Sequence, residues 1–172
     1  MSGQRIQYMI PLQSLGEGVH NMEFTISKEF IELQNIENML DAQLLVQVIF
    51  TKRAQIHTLE LNMRGMVEMP CDRCLEPVQL TIKNSHECVI KVGANEEEFA
   101  DTDDVICIDA HEKELDITHI LYENLLLSLP LKKAHAQGKC NAAVTAYINE
   151  AKKTKQEKTD PRWDLLKNVI IN

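Results

Sequence analysis

At 172 residues with 44% hydrophobic side chains, the chain can bury one well-formed core, and a second full domain would leave each half marginal. A formal net charge of -8 excludes a surface that is a nucleic-acid footprint throughout, so any such footprint must be local. No window approaches the roughly 18 uninterrupted apolar residues of a membrane span, and the opening "MSGQRIQYMIPLQ" lacks a charged start followed by an apolar stretch. The expected protein is therefore cytoplasmic, with no membrane partner.

Through the first hundred residues the apolar pattern alternates. "IQYMIPL", "HNMEFTIS", "AQLLVQVIF", "QIHTLELNMRGMVEM" and "EPVQLTIKNSHECVIKV" each place every second side chain on one face, as antiparallel strands do. Between them "SKEFIELQNI" reads as a helical turn or a loop crossing, with Ser27 available as its cap. Residues 95 to 116 carry ten acidic side chains against one lysine, which predicts a solvated loop around a short strand, "VICI". "DITHILYENLLLSLP" then spaces Ile117, Ile120, Leu121 and Leu125 at helical intervals, with Asp116 placed to bond the first free amides and Pro130 to end the helix. Residues 131 to 158 hold seven lysines against two glutamates. The run "NEAKKTKQEKTD" has little to bury, so 144–159 reads as a flexible basic linker. In "DPRWDLLKNVII", Pro161 suits a first helical turn, and Trp163, Leu166 and Ile170 could dock on a core. The expected architecture is α+β: a mainly antiparallel sheet or open barrel and one main helix in a domain over 1–143, the linker, and a short C-terminal helix over 160–172.

Five cysteines at irregular spacing indicate no disulfide framework. Cys88 and Cys107 sit inside apolar strand patterns and read as core residues. The pair in "MPCDRCLEP", Cys71 and Cys74, has three readings: half a zinc site, a redox couple, or packed thiols. Two sulfurs two residues apart can reach one ion from a single tight turn, and "AHAQGKC" offers His135 and Cys140 as a second half, with Gly138 to bend the chain between them. Three thiolates and an imidazole would fill a tetrahedral shell, making zinc a structural staple between the sheet and the segment leaving the helix. Against this, Leu75 stands where a glycine often lets backbone amides turn toward the sulfurs, and His135 and Cys140 could be a solvated loop residue and a free thiol. A redox couple would want the pair at the start of a helix in a βαβ unit, and the flanking strands look antiparallel. No Gly-rich phosphate loop, G-x-S-x-G elbow or H-E-x-x-H helix is present, and "DTDDVICID" lacks the glycine and terminal glutamate of a calcium loop. Neither an enzyme nor a small-molecule substrate is expected.

The order of these features resembles the YceD family. The resemblance covers most of residues 1–172 in layout and is specific over 71–77, 115–140 and 160–169. The family's C-x-R-C block falls on Cys71, Arg73 and Cys74; its apolar helix ending in Leu-Pro, then a histidine and a cysteine, falls on Leu129, Pro130, His135 and Cys140. It implies a bacterial or organellar protein required for normal accumulation of large-subunit ribosomal RNA, described as binding metal and nucleic acid. Many relatives carry a second C-x-x-C after the helix, whereas this chain has only Cys140 downstream of Cys107. That leaves a Cys-Cys-His-Cys zinc set or a vestigial site. The expected partner is ribosomal RNA or a large-subunit assembly particle, held by a local basic surface of Arg73, Lys132, Lys133 and Lys139 with Lys152, Lys153, Lys155 and Lys158 of the linker. The charge split favours it, at minus 9 over 95–116 and plus 5 over 131–158. The alternative is an adaptor gripping a ribosomal protein or assembly factor by its sheet edge or tail.

Overall fold

The structure, a computed structural model, describes residues 8–93 and 105–155. Nine residues of β2 (Gly18–Ile26) pair antiparallel with β3 (Asp41–Lys52), which pairs with β4 (Ile56–Pro70), which pairs with β5 (Pro77–Val92). The short β6 (Val105–Ile108) completes this open five-stranded sheet by lying parallel to β5. A two-stranded ribbon of β1 (Met9–Ile10) and β7 (Leu115–Asp116) leads the chain into helix α2 (Thr118–Leu127). The expected α+β architecture with a mostly antiparallel open sheet is the one observed.

Alternation decides which face is buried. Leu44, Val46, Val48 and Phe50 of β3, with Leu59, Leu61 and Met63 of β4 and Ile82, Cys88 and Ile90 of β5, form one interior. Ile117, Leu121 and Leu125 of α2, fully buried, join it as their spacing predicts, with Ile120 packed at its margin. The Asp116 carboxylate accepts the Thr118 N–H at 2.8 Å, and the helix ends at Leu127, shortly before Pro130. Helix α1 (Lys28–Leu33) follows Ser27, whose side chain makes no cap bond, and buries Phe30 and Ile31. Gly65 takes an inward slot of β4 at φ +149°, where a Cβ would run into the Gln43 carbonyl, so the close β3–β4 approach there requires glycine.

Three expectations need correcting. Cys107 is only half-buried, because β6 is an edge strand with all four residues partly exposed. Within "IQYMIPL" the described residues are strand only over Met9–Ile10, and residues 1–7 lie outside the described residues. The linker expected over 144–159 is helical through residue 155, where α3 spans Ala142–Lys155, and residues 156–159 lie outside the described residues. Asn141 caps it, its side-chain oxygen accepting the Ala143 N–H at 3.0 Å, and the alanines that follow are strong helix formers. The expected helix over 160–172 lies outside the described residues.

Candidate metal centre

The loop joining β4 to β5 is bracketed by a proline at each end, Pro70 paired with Pro77. The Cys71 N–H donates to the Glu76 carbonyl at 2.9 Å, and inside that closure the Leu75 N–H returns to the Cys71 carbonyl at 2.9 Å. The Arg73 N–H points at the Cys71 sulfur, 3.5 Å away. Making this turn puts Leu75 at φ +63°. The conformation expected to need glycine is thus adopted by a leucine, whose side chain projects into solvent at 78% exposure and clashes with nothing buried.

The second half comes from the chain leaving α2. Asp72 and Lys133 bond reciprocally, Asp72 N–H to Lys133 C=O and Lys133 N–H to Asp72 Oδ2, both 2.6 Å, which holds the segment against the loop. Gly138 at φ +81° turns the chain between His135 and Cys140, and Asn141 donates to Glu76 Oε1 at 2.7 Å. Neither Asp72 nor Asn141 was singled out by sequence, although Asn141 stands before an alanine-rich run as a helix cap does.

These contacts bring Cys71, Cys74, His135 and Cys140 together, with ligand atoms all within 4.8 Å of one another. The Cys71 and Cys140 sulfurs are 3.8 Å apart; His135 Nδ1 lies 3.5 Å from Cys74 Sγ and 3.9 Å from Cys140 Sγ. Zinc–sulfur bonds of about 2.3 Å and zinc–nitrogen bonds of about 2.0–2.1 Å give a tetrahedron with S–S edges of about 3.8 Å and S–N edges of about 3.5 Å. The side chains therefore stand near the spacing such an ion would require. His135 is also in the right tautomer: its Nε2 faces the Pro77 carbonyl at 3.0 Å, which assigns the hydrogen there and leaves the Nδ1 lone pair toward the sulfurs. The donor set could hold a metal ion, and four such donors would complete a tetrahedral shell.

Electrostatics favours the thiolate form at one corner. Burial pushes the Cys71 thiol up, but the backbone amides of Cys74, Arg73 and His135 and the Cys74 thiol prevail and hold it down at about 5. Cys74 is lowered chiefly by the Asn141 amide, and His135 is raised chiefly by its bond to Cys71. Burial, then the neighbouring Cys71 and Cys74, push Cys140 up to about 11, with the Arg73 charge acting against them. Cys71 and Cys74 stand on a hairpin loop, so the helix N-terminus that a redox couple would use is absent from this pair.

Of the residues expected to meet RNA, Arg73 and Lys132 line one surface depression with Ala134, His135 and Gln137. The Arg73 guanidinium also donates to the His135 carbonyl, and its Nε is buried without a partner. Lys132 and Lys139 are exposed and Lys133 is half-buried. Lys152, Lys153 and Lys155 fall on α3, and Lys158 lies outside the described residues. Among the described residues no helix is long and apolar enough to cross a membrane.

No curated protein and no solved structure matches the chain significantly. A family model described as "Large ribosomal RNA subunit accumulation protein YceD" matches residues 59–169. That span opens within β4, runs through the C-x-R-C loop and α2, and takes in all four clustered side chains. By that match, over more than half its length, the chain belongs to the YceD family.

Proposed function

We propose that this protein is a non-enzymatic factor in the biogenesis of the large ribosomal subunit, that it holds a structural zinc ion at Cys71, Cys74, His135 and Cys140, and that it binds ribosomal RNA or an assembly particle through the basic surface around that centre. The observation that carries the reading is the coincidence of the two features: Arg73 sits between two ligands, and Lys132, Lys133 and Lys139 lie on the segment that supplies the other two. A closed four-ligand set leaves no position for a reacting water, so zinc there would fix backbone and would not take part in chemistry. The ion with three thiolates and a neutral imidazole would retain one net negative charge, which Arg73 is placed to offset.

Lysines on a fixed loop would meet phosphates and set affinity more than sequence choice. With about five engaged, log affinity should fall against log salt with a slope near about -3.5, at roughly 0.7 per phosphate on single strands. The test is crosslinking in cells followed by sequencing of the bound RNA, with the Lys132→Gln, Lys139→Gln double variant alongside. A discrete large-subunit footprint, with weaker retention and a shallower salt slope in the variant, is the expected result. Protein crosslinks without RNA, or a variant that associates with precursors as the parent does, would overturn the RNA reading.

A further inference from the structure

The sheet has an open edge, and the hydrogen-bond parity shows which groups it exposes. The Val92 N–H donates to the Gln55 carbonyl at 3.1 Å, and these residues stand opposite in the β4–β5 register, so odd-numbered residues of β4 bond toward β5. Even-numbered β4 residues then bond toward β3, odd β3 residues toward β4, and even β3 residues toward β2. In β2 the even residues His20, Met22 and Phe24 are spent on β3, and the odd residues Val19, Asn21, Glu23 and Thr25 turn N–H and C=O outward. An independent contact agrees: the Tyr8 hydroxyl donates to the Thr25 carbonyl at 2.9 Å from the open side.

Among the described residues nothing pairs with the outward backbone groups of Val19, Asn21 and Glu23. The usual guards of an edge are missing too. Strand β2 contains no lysine or proline, its only glycine is the first residue, and its register with β3 runs without a bulge. The free run, Val19 to Glu23, spans about 14 Å at roughly 3.4 Å per residue, room for a short added strand.

Its surroundings specify what would fit. On the inner side Phe24 already packs against the Tyr8 ring, 5.7 Å away, and half-buried Met22 is left beside the free run; on the outer side Glu23 is exposed beside Gln47. Exposed Glu17 precedes the strand, and beyond its other end exposed Lys28 and Glu29 offset each other, so the net charge beside the edge is that of Glu17 and Glu23. The nearby Lys52 ammonium is committed to the Leu12 and Leu15 carbonyls. A second copy would bring the same acidic flank against itself, and like charges on paired edges are unfavourable.

We propose that the β2 edge, Val19 to Glu23, is a docking site for an extended segment of a partner protein that alternates apolar and basic side chains and adds to the sheet as a sixth strand. An apolar side chain would cover Met22 while the basic ones meet Glu23. Backbone bonds to Val19, Asn21 and Glu23 give affinity, and the alternating rows give selectivity.

The test uses the full chain and a soluble peptide of alternating lysine and valine, followed by amide exchange. On saturation the Val19, Asn21 and Glu23 amides should exchange at least about tenfold more slowly, while those of His20, Met22 and Phe24, already bonded to β3, should change little. Asn21→Pro removes an outward donor without removing a β3 bond and should abolish the effect. Glu23→Lys should weaken this peptide and favour one alternating glutamate and valine, which keeps the test sound if the proline variant folds poorly. No protection of the odd amides, or binding that survives both substitutions, overturns the proposal. A dimer that Asn21→Pro dissolves would assign the edge to a second copy, and faster odd-amide exchange on deleting residues 1–7 would assign it to the chain's own start; either result overturns it. RNA retention is a separate readout, so failure here leaves the function proposed above untouched.

Discussion

Leu75 carries the clearest local strain at the centre. A branched side chain at φ +63° costs of order 1 kcal/mol or more, and its 78% exposure means that packing returns little. Leu75→Gly should therefore stabilise the loop by about 1 kcal/mol, offset in part by the greater freedom of the unfolded chain. Denaturant unfolding measures this, and a clear loss of stability would mean that Leu75 makes a contact worth more than its strain. His57 offers a pH-dependent counterpart. It is buried in β4, its Nδ1 accepting the Arg53 N–H at 3.3 Å and its ring 5.5 Å from Phe50, and burial lowers its pKa from the ordinary 6.5. A depressed folded value means that the neutral ring is favoured on folding, so its contribution is present above 6.5 and is lost as pH falls through the folded value. His57→Gln should flatten the fall in stability as pH drops below 6.5 relative to the parent. Identical slopes in parent and variant would exclude His57 as a contributor.

At the scale of elements, α2 binds the sheet through one stripe. Leu121 and Leu125 are fully buried, whereas Leu127 on the same helix is 84% exposed. Leu121→Ala should cost about 2–5 kcal/mol, and Leu127→Ala should stay within about 0.5 kcal/mol; equal losses in urea unfolding would contradict the placement of the helix. The spacing of Ile117, Leu121 and Leu125 made this element legible from sequence, as alternation did for β2 to β5, because each pattern reports a large buried face. Pairings between distant segments left no such trace. The β1–β7 ribbon joins Met9 to Asp116 through two residues a side, and β6 pairs parallel to β5 through four, too few in either case to leave a periodic pattern. Helix α3 carries only a short apolar set, Val144, Tyr147 and Ile148, ahead of its lysines, too brief to outweigh the polar composition of the run, and of these Val144 packs on the small cluster at the centre. The four clustered side chains were legible by residue type and spacing. Asp72, Asn141 and the Pro77 carbonyl, which aim them, act through local backbone geometry that residue type does not encode.

Across the whole molecule the interior divides unevenly. The main cluster lies between the sheet and α2, whereas Cys71, Cys74 and Val78 form a separate cluster at the hairpin tip, with Leu80, Ala134, Cys140 and Val144 packed around it and Leu80 touching both. Three buried side chains, two of them small, cannot offset the entropy of fixing a six-residue loop and the strand-less chain from Leu129 to Asn141. The main cluster has no such need. A zinc ion at the tip would supply the difference, because ligand binding free energy there is local folding free energy. Stripping metal with a strong chelator should therefore loosen one end and spare the other. Amide exchange should accelerate over residues 71–76 and 133–145, while Leu44, Leu61 and Leu121 remain protected and the main unfolding transition persists. Cys71→Ser should reproduce the pattern without chelator and bind less zinc than about one ion per chain. Unchanged exchange at the tip after chelation would show that the polar bonds of Asp72, His135 and Asn141 hold it unaided, and loss of protection throughout the sheet would show that the two clusters fold as one.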